Sequence, residues 1–139
     1  MSTLFGQEHV ERYQATDGAE GHDWREGSTI LLLTTFGRKT GNPTTTPLIY
    51  DLDEGGNPVI VASKGGAPEH PGWYLNMLEH PHVDVQIKGE RFHAHPRTAE
   101  GDERARLWKQ MNQMWPHYDE YAEKTDREIP VVVLERHHH

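Results

Sequence analysis

Apolar side chains along this chain come in short runs broken by glycine, proline and charged residues. Ile30-Leu31-Leu32-Leu33, Pro58-Val59-Ile60-Val61-Ala62 and Pro130-Val131-Val132-Val133-Leu134 are continuous. Val83-Asp84-Val85-Gln86-Ile87 alternates strictly, as a half-buried strand does. These patterns and their flanking breakers predict strands over about 29–36, 44–51, 58–63, 82–88, 90–97 and 129–134. Gly89-Glu90 reads as a tight turn between the fourth and fifth strands. Helices are predicted over 7–15, 69–79 and 99–114, the last with Thr98 as its cap. A further short helix after Trp115-Pro116 would carry Tyr118 and Tyr121. Most strands are joined by short turns, and helices enter at two places. That favours an antiparallel barrel of six strands over a doubly wound parallel sheet. The expected class is mainly β with flanking helices (α+β).

The chain of 139 residues divides into an N-terminal arm (1–28), one barrel domain (29–136) and a histidine run (137–139) that reads as a purification-tag remnant. The arm is polar and glycine-containing, with a thin apolar face and Tyr13 and Trp24 as anchors. It is expected to border the active site rather than to join the barrel core. A net charge of −8 argues against nucleic acid as a partner. There is no cysteine, hence no disulfide and no thiolate site. No apolar run approaches a membrane span and no signal-peptide pattern is present, so the expected setting is cytoplasmic. His80 and His82, like His93 and His95, are two apart, but no carboxylate pattern surrounds them; no metal site is expected.

Candidate chemistry lies in two turns. Gly37-Arg38-Lys39-Thr40-Gly41 sits between the first two predicted strands. Its glycines free backbone N–H groups to face an anion, Arg38 can fork onto phosphate or carboxylate, and Lys39 adds a point charge. By itself such a turn is also an ordinary solvated hairpin connection. A second basic turn, Ser63-Lys64-Gly65-Gly66-Ala67-Pro68, links a strand to a helix. Two such turns in an acidic protein could converge on one ligand bearing several negative charges.

Five stretches, in this order, resemble the deazaflavin (coenzyme F420)-dependent nitroreductase family of the split β-barrel superfamily. They are Leu33 to Gly41, Thr46-Pro47-Leu48-Ile49-Tyr50, Ala62 to Ala67, His70-Pro71-Gly72-Trp73-Tyr74-Leu75-Asn76, and Thr125-Asp126-Arg127-Glu128-Ile129-Pro130. The resemblance implies a six-stranded antiparallel split β-barrel and an F420-dependent oxidoreductase. It implies that Arg38, Lys39 and Thr40 hold the cofactor's anionic tail, that Pro47 and Trp73 line it, and that Ser63, Lys64 and Gly65 contact its phosphate and ring. It further implies that Tyr118 and Tyr121 lie on the substrate side, with Ser63, Tyr118 and Tyr121 as catalytic hydroxyl donors. Tyrosines in such positions are otherwise packing residues. Thr44 stands where some members carry arginine, Ile49 where some carry tyrosine, and Trp115 replaces a further tyrosine.

The implied reaction is hydride transfer from reduced deazaflavin to a small electron-poor acceptor: a quinone, a nitroaromatic or an enone. The alternatives are an FMN-binding split-barrel oxidoreductase and a non-catalytic F420-binding or storage protein. The expected partner is a small-molecule acceptor, for a monomer or homodimer that is not integral to a membrane; peripheral contact with membrane quinones fits that picture.

Overall fold

The structure is a computed structural model that describes residue 4 and residues 6–136. The histidines read as a tag remnant lie outside the described residues. Helix α1 (Gly6–Thr16) is followed by β1 (Ile30–Phe36), β2 (Pro43–Ile49), β3 (Asp51–Leu52) and β4 (Pro58–Val61). Then come α2 (Gly72–Glu79), β5 (Val83–Ile87), β6 (Glu90–Thr98), α3 (Gly101–Met114), α4 (His117–Glu123) and β7 (Val131–Arg136). The strands form one antiparallel sheet in the order β2-β1-β5-β6-β7-β4-β3.

The sheet has seven strands, not the six expected, because the run over 44–51 is divided. Its first part pairs with β1, from Ile30↔Ile49 to Phe36↔Pro43. After Tyr50 the chain changes partner and pairs with β4, Asp51↔Val59 and Leu52↔Pro58. Since β2 and β3 lie at opposite edges of the sheet but are separated by Tyr50 alone, the sheet must curl until its edges meet. The result is a half-barrel. Tyr50 is clamped at the seam: its N–H donates to the Thr29 carbonyl at 3.1 Å, and its own carbonyl accepts the Thr29 hydroxyl at 3.0 Å. Its phenol oxygen lies 2.8 Å from His22 Nε2.

Burial on both faces explains the continuous apolar runs. From β4 and β7, Ile60, Val132 and Leu134 enter the barrel interior with Leu31, Leu33, Val83 and Val85. Their alternate neighbours Val59, Val61, Val131 and Val133 pack outward against Leu107 and Met111 of α3. Strand β5 has one such face, so it alternates in sequence. Two helix starts differ from expectation. Helix α2 begins at Gly72 rather than 69, because Pro71 holds extended backbone (φ −64, ψ 150) just before it. Helix α3 is preceded by Glu100, not capped by Thr98; Thr98 ends β6, and its hydroxyl pairs with that of Tyr74 at 2.9 Å.

The arm is fixed by buried polar atoms as much as by apolar ones. Val10 and Tyr13 of α1 pack on Ile30 and Leu32, the outward face of β1. The Tyr13 side chain is fully buried; its hydroxyl donates to the Ile30 carbonyl at 3.0 Å and accepts the Lys88 N–H at 2.7 Å. Burial pushes this phenol up to about 12. Tyr13→Phe keeps the ring but orphans the Lys88 N–H, so it is expected to lower stability by about 1–3 kcal/mol in urea unfolding. Because the folded-state value is raised, the neutral phenol's contribution is fully present below the ordinary value of 10.0 and is lost as pH rises toward about 12. Unfolding midpoints across that window should therefore fall, and less steeply in Tyr13→Phe. Tyr50 and Tyr118, also shifted up by burial, act in the same direction.

Candidate active site

A pocket of about 420 Å³ opens where the arm, β2, the turn after β4, the start of α2 and the Trp115–Tyr121 segment meet. Pro47, Leu48 and Ile49 come from β2; Val61, Ser63, Lys64 and Gly65 come from the end of β4 and its turn. Aromatic walls complete it. Trp115 is the single residue at the end of α3 before Pro116, and its ring stacks on Trp24 of the arm, with centroids 5.7 Å apart and planes at 28°. Tyr118 and Tyr121 of α4 meet edge to face at 6.1 Å. Trp73 faces the pocket from the first turn of α2.

The pocket's hydroxyls suit a ligand that needs donors. Tyr118 is 4% exposed, and burial, reinforced by Tyr121, raises its pKa well above the ordinary value, so it stays protonated. Among the described residues its hydroxyl has no hydrogen-bond partner. The Tyr121 oxygen accepts the Trp115 indole N–H at 3.4 Å, which leaves its own proton available. Ser63 leads the turn and makes no capping bond with its side chain. In that turn Lys64, Gly65 and Gly66 are all left-handed, with φ of 46, 63 and 87. A Cβ at Gly66 would lie 2.7 Å from the Tyr121 carbonyl, so only glycine lets the turn approach α4 this closely.

The structure thus brings Pro47, Ser63, Lys64, Gly65, Trp73, Tyr118 and Tyr121 into one pocket wall, with Trp115 and Ile49 beside them. Arg38, Lys39 and Thr40 stand apart at the β1–β2 hairpin tip, all exposed. Thr40 braces that tip by accepting the Asn42 N–H at 3.2 Å. Arg38 is tied back to α2: its backbone N–H and its Nη1 both donate to Asn76 Oδ1, at 3.2 and 2.9 Å. Asn76 lies about one helical turn beyond Trp73, so α2 connects the basic tip to the pocket. Thr44 is exposed on β2 and outside the pocket wall. Lys64 is paired with Glu69 at 3.1 Å, an exposed contact that an anionic ligand would have to displace.

Three features escaped sequence reasoning. His9 lines the pocket with its Nε2 fixed on the Gly21 carbonyl at 2.8 Å. His117 sits between carboxylates, Nδ1 at 2.7 Å from Glu120 and Nε2 at 2.9 Å from Glu26, so it ties the arm to α4; those two partners raise its pKa. Arg127 threads its guanidinium into the Ser63–Ala67 turn. Its only sequence signal was its place in the Thr125–Pro130 stretch. Among the described residues no group of three or more His, Asp or Glu is placed to hold a metal ion. Nor is any described helix long and apolar enough to cross a membrane.

Comparison with known proteins agrees over nearly the whole chain. The sequence profile of the F420H(2)-dependent quinone reductase family matches residues 5–136. An F420H(2)-dependent quinone reductase of Mycobacterium tuberculosis is 42% identical over 131 residues, covering 92% of this chain and 87% of that protein. A solved structure of an F420-H2 dependent reductase, FDR-A, is 43% identical and superposes with a TM-score of 0.70 over 76% of this chain and 93% of the other. Another solved structure, described as a domain-swapped dimer, is 41% identical with a TM-score of 0.73 over 93% of this chain and 96% of the other. By profile, by sequence and by fold, the chain belongs to the F420H(2)-dependent quinone reductase family.

Proposed function

We propose that the protein is an F420-dependent oxidoreductase that passes a hydride from the reduced deazaflavin to small electron-poor acceptors, quinones foremost and nitroaromatics or enones by the same chemistry. The observation that carries this reading is the unpartnered Tyr118 hydroxyl, held protonated in an aromatic pocket beside a left-handed glycine turn. The residues fit the cofactor. Pro47, Trp73 and Val61 offer apolar contact for a flat ring system, and the Ser63-Lys64-Gly65 turn offers polar contacts for a phosphate. Arg38 and Lys39, at the far end of the α2 connection, suit the distal carboxylates of a long anionic tail. A cofactor with one phosphate and no such tail would leave that basic tip unused, which disfavours FMN.

When bound, the cofactor supplies the hydride; the protein binds, orients and shields. The stacked Trp24 and Trp115 rings and the docked arm exclude water from one side of the pocket. Tyr118, Tyr121 and Ser63 present O–H groups to an acceptor oxygen. That oxygen gains negative charge as the hydride arrives, so a nearby phenol stabilises the transition state more than the ground state. Tyr118 cannot answer by ionising, because its burial opposes the phenolate.

Binding is tested by titrating the protein with F420 and, for comparison, FMN. Arg38→Ala should weaken F420 binding by about 1.5–3 kcal/mol, since Asn76 already holds the guanidinium in place. The exposed Lys39→Ala should lose only about 0.2–1 kcal/mol. Both effects should shrink in added salt. Equal affinity in both variants and wild type would remove the tail from this tip.

Turnover is tested by following oxidation of reduced F420 with a panel of quinones, nitroaromatics and enones. Tyr118→Phe removes one donor and keeps the ring; it should slow turnover about ten- to thousandfold with F420 affinity nearly unchanged. If wild-type protein binds F420 but reduces nothing in the panel above the uncatalysed rate, the protein is a carrier and not an enzyme.

A further inference from the structure

The Ser63–Ala67 turn is unusual in its backbone. Three successive residues are left-handed, and the first of them is Lys64, which has a Cβ (φ 46). Such a conformation is unfavourable for a non-glycine residue and persists only where surrounding contacts over-determine it. Within the turn, the Gly66 N–H donates to the Ser63 carbonyl at 2.9 Å and the Ala67 N–H to the Lys64 carbonyl at 3.1 Å. Neither bond ties the turn to the rest of the fold.

Arg127 does. It lies in the loop between α4 and β7, close before the point where β7 joins β4. Its Nη2 donates to the Ser63 carbonyl at 2.8 Å and its Nε to the Ala67 carbonyl at 2.9 Å, one at each end of the turn. Its Nη1 donates to the Ala62 carbonyl at 3.3 Å and to His70 Nδ1 at 3.1 Å. One rigid planar fork therefore spans the residues before, at the start of and after the left-handed segment. Lysine has no such fork, so charge alone cannot replace it. Gly66, which a Cβ would drive into the Tyr121 carbonyl, closes the turn against α4 from the other side.

The contact with His70 has a chemical condition. Arginine has donors only, so His70 Nδ1 must offer its lone pair and the ring must be neutral. Burial and the neighbouring Arg127 charge both lower the His70 pKa and favour that state. The Tyr74 ring packs against this ring, with centroids 5.0 Å apart, and the nearest acidic residue in the chain, Glu69, is turned to Lys64. Protonation of His70 would set an N–H against Nη1 and a second cation beside the guanidinium.

We propose that Arg127 is the positioning residue of the cofactor site: its guanidinium holds the Ser63–Ala67 turn in the shape that presents Ser63, Lys64 and Gly65 to the ligand, and neutral His70 completes its set of acceptors. The proposal rests on the reading of this turn as the place where F420 binds.

Arg127→Lys and Arg127→Ala are compared with wild type in F420 titrations and in turnover. Both should raise the F420 dissociation constant about tenfold or more, the value of a lost charge-assisted bond. KM for reduced F420 should rise more than kcat falls. Guanidinium ion at low millimolar concentration should restore part of the affinity of Arg127→Ala and none of that of Arg38→Ala. A loss of general stability would show none of this selectivity. Amide hydrogen exchange at Gly65, Gly66 and Ala67 is a readout without cofactor and should quicken in Arg127→Lys while β1 and β5 stay protected. His70→Gln cannot become a cation, so the fall in F420 affinity as pH drops below the ordinary histidine value of 6.5 should be shallower than in wild type. If wild type binds F420 and Arg127→Lys binds as tightly with unchanged exchange at the turn, the proposal fails and the cofactor reading stands. If wild type does not bind F420, both fall.

Discussion

The change of partner at Tyr50 is the constraint from which the site follows. One uninterrupted stretch of backbone serves as one edge of the sheet up to Ile49 and as the opposite edge from Asp51. A flat or gently twisted sheet cannot satisfy both pairings, so the curl is imposed by connectivity. The curl sets Pro47, Leu48 and Ile49 opposite Val61 and Ser63, residues from far-separated places in the strand order. The pocket is the space left where those edges approach without pairing. Thr29 and His22 hold Tyr50 at the seam, which explains why a single residue suffices for the crossing.

The helices and the arm then decide what kind of pocket it is. Outward-facing valines of β4 and β7 draw α3 onto the barrel, and α3 ends where Pro116 forces a new direction. That corner delivers Trp115, and the short α4 beyond it delivers Tyr118 and Tyr121. The arm adds Trp24 and His9, docked through the buried Tyr13 hydroxyl and through the Glu26–His117–Glu120 set. An apolar, ring-lined space with few donors concentrates the effect of each donor, because little water competes for it. The acidic surface elsewhere does not conflict with an anionic ligand, since the two basic turns act over short distances and the rest is screened within about 8–10 Å.

Much of the fold was legible because burial leaves a periodic trace. Strands β1, β4 and β7 are covered on both faces and read as unbroken apolar runs; β5 is covered on one and alternates. The two basic turns were visible as composition, glycine and charge placed between such runs. The helix starts lie later than expected because Pro71 holds extended backbone just before Gly72, and because Thr98, a good cap by type, is committed to β6 and to Tyr74.

What the sequence by itself determined was the set of faces: which residues would avoid water, which would turn, and which carried charge. Tertiary structure alone decided the partners. Nothing in the residue types says that Tyr50 crosses between sheet edges, that the Tyr13 hydroxyl meets the Ile30 carbonyl, or that Arg127 reaches the carbonyls of Ala62, Ser63 and Ala67. Every residue carries a backbone carbonyl, so an acceptor of that kind leaves no mark in sequence. Which carbonyls a buried donor finds depends on where the closed sheet has placed them.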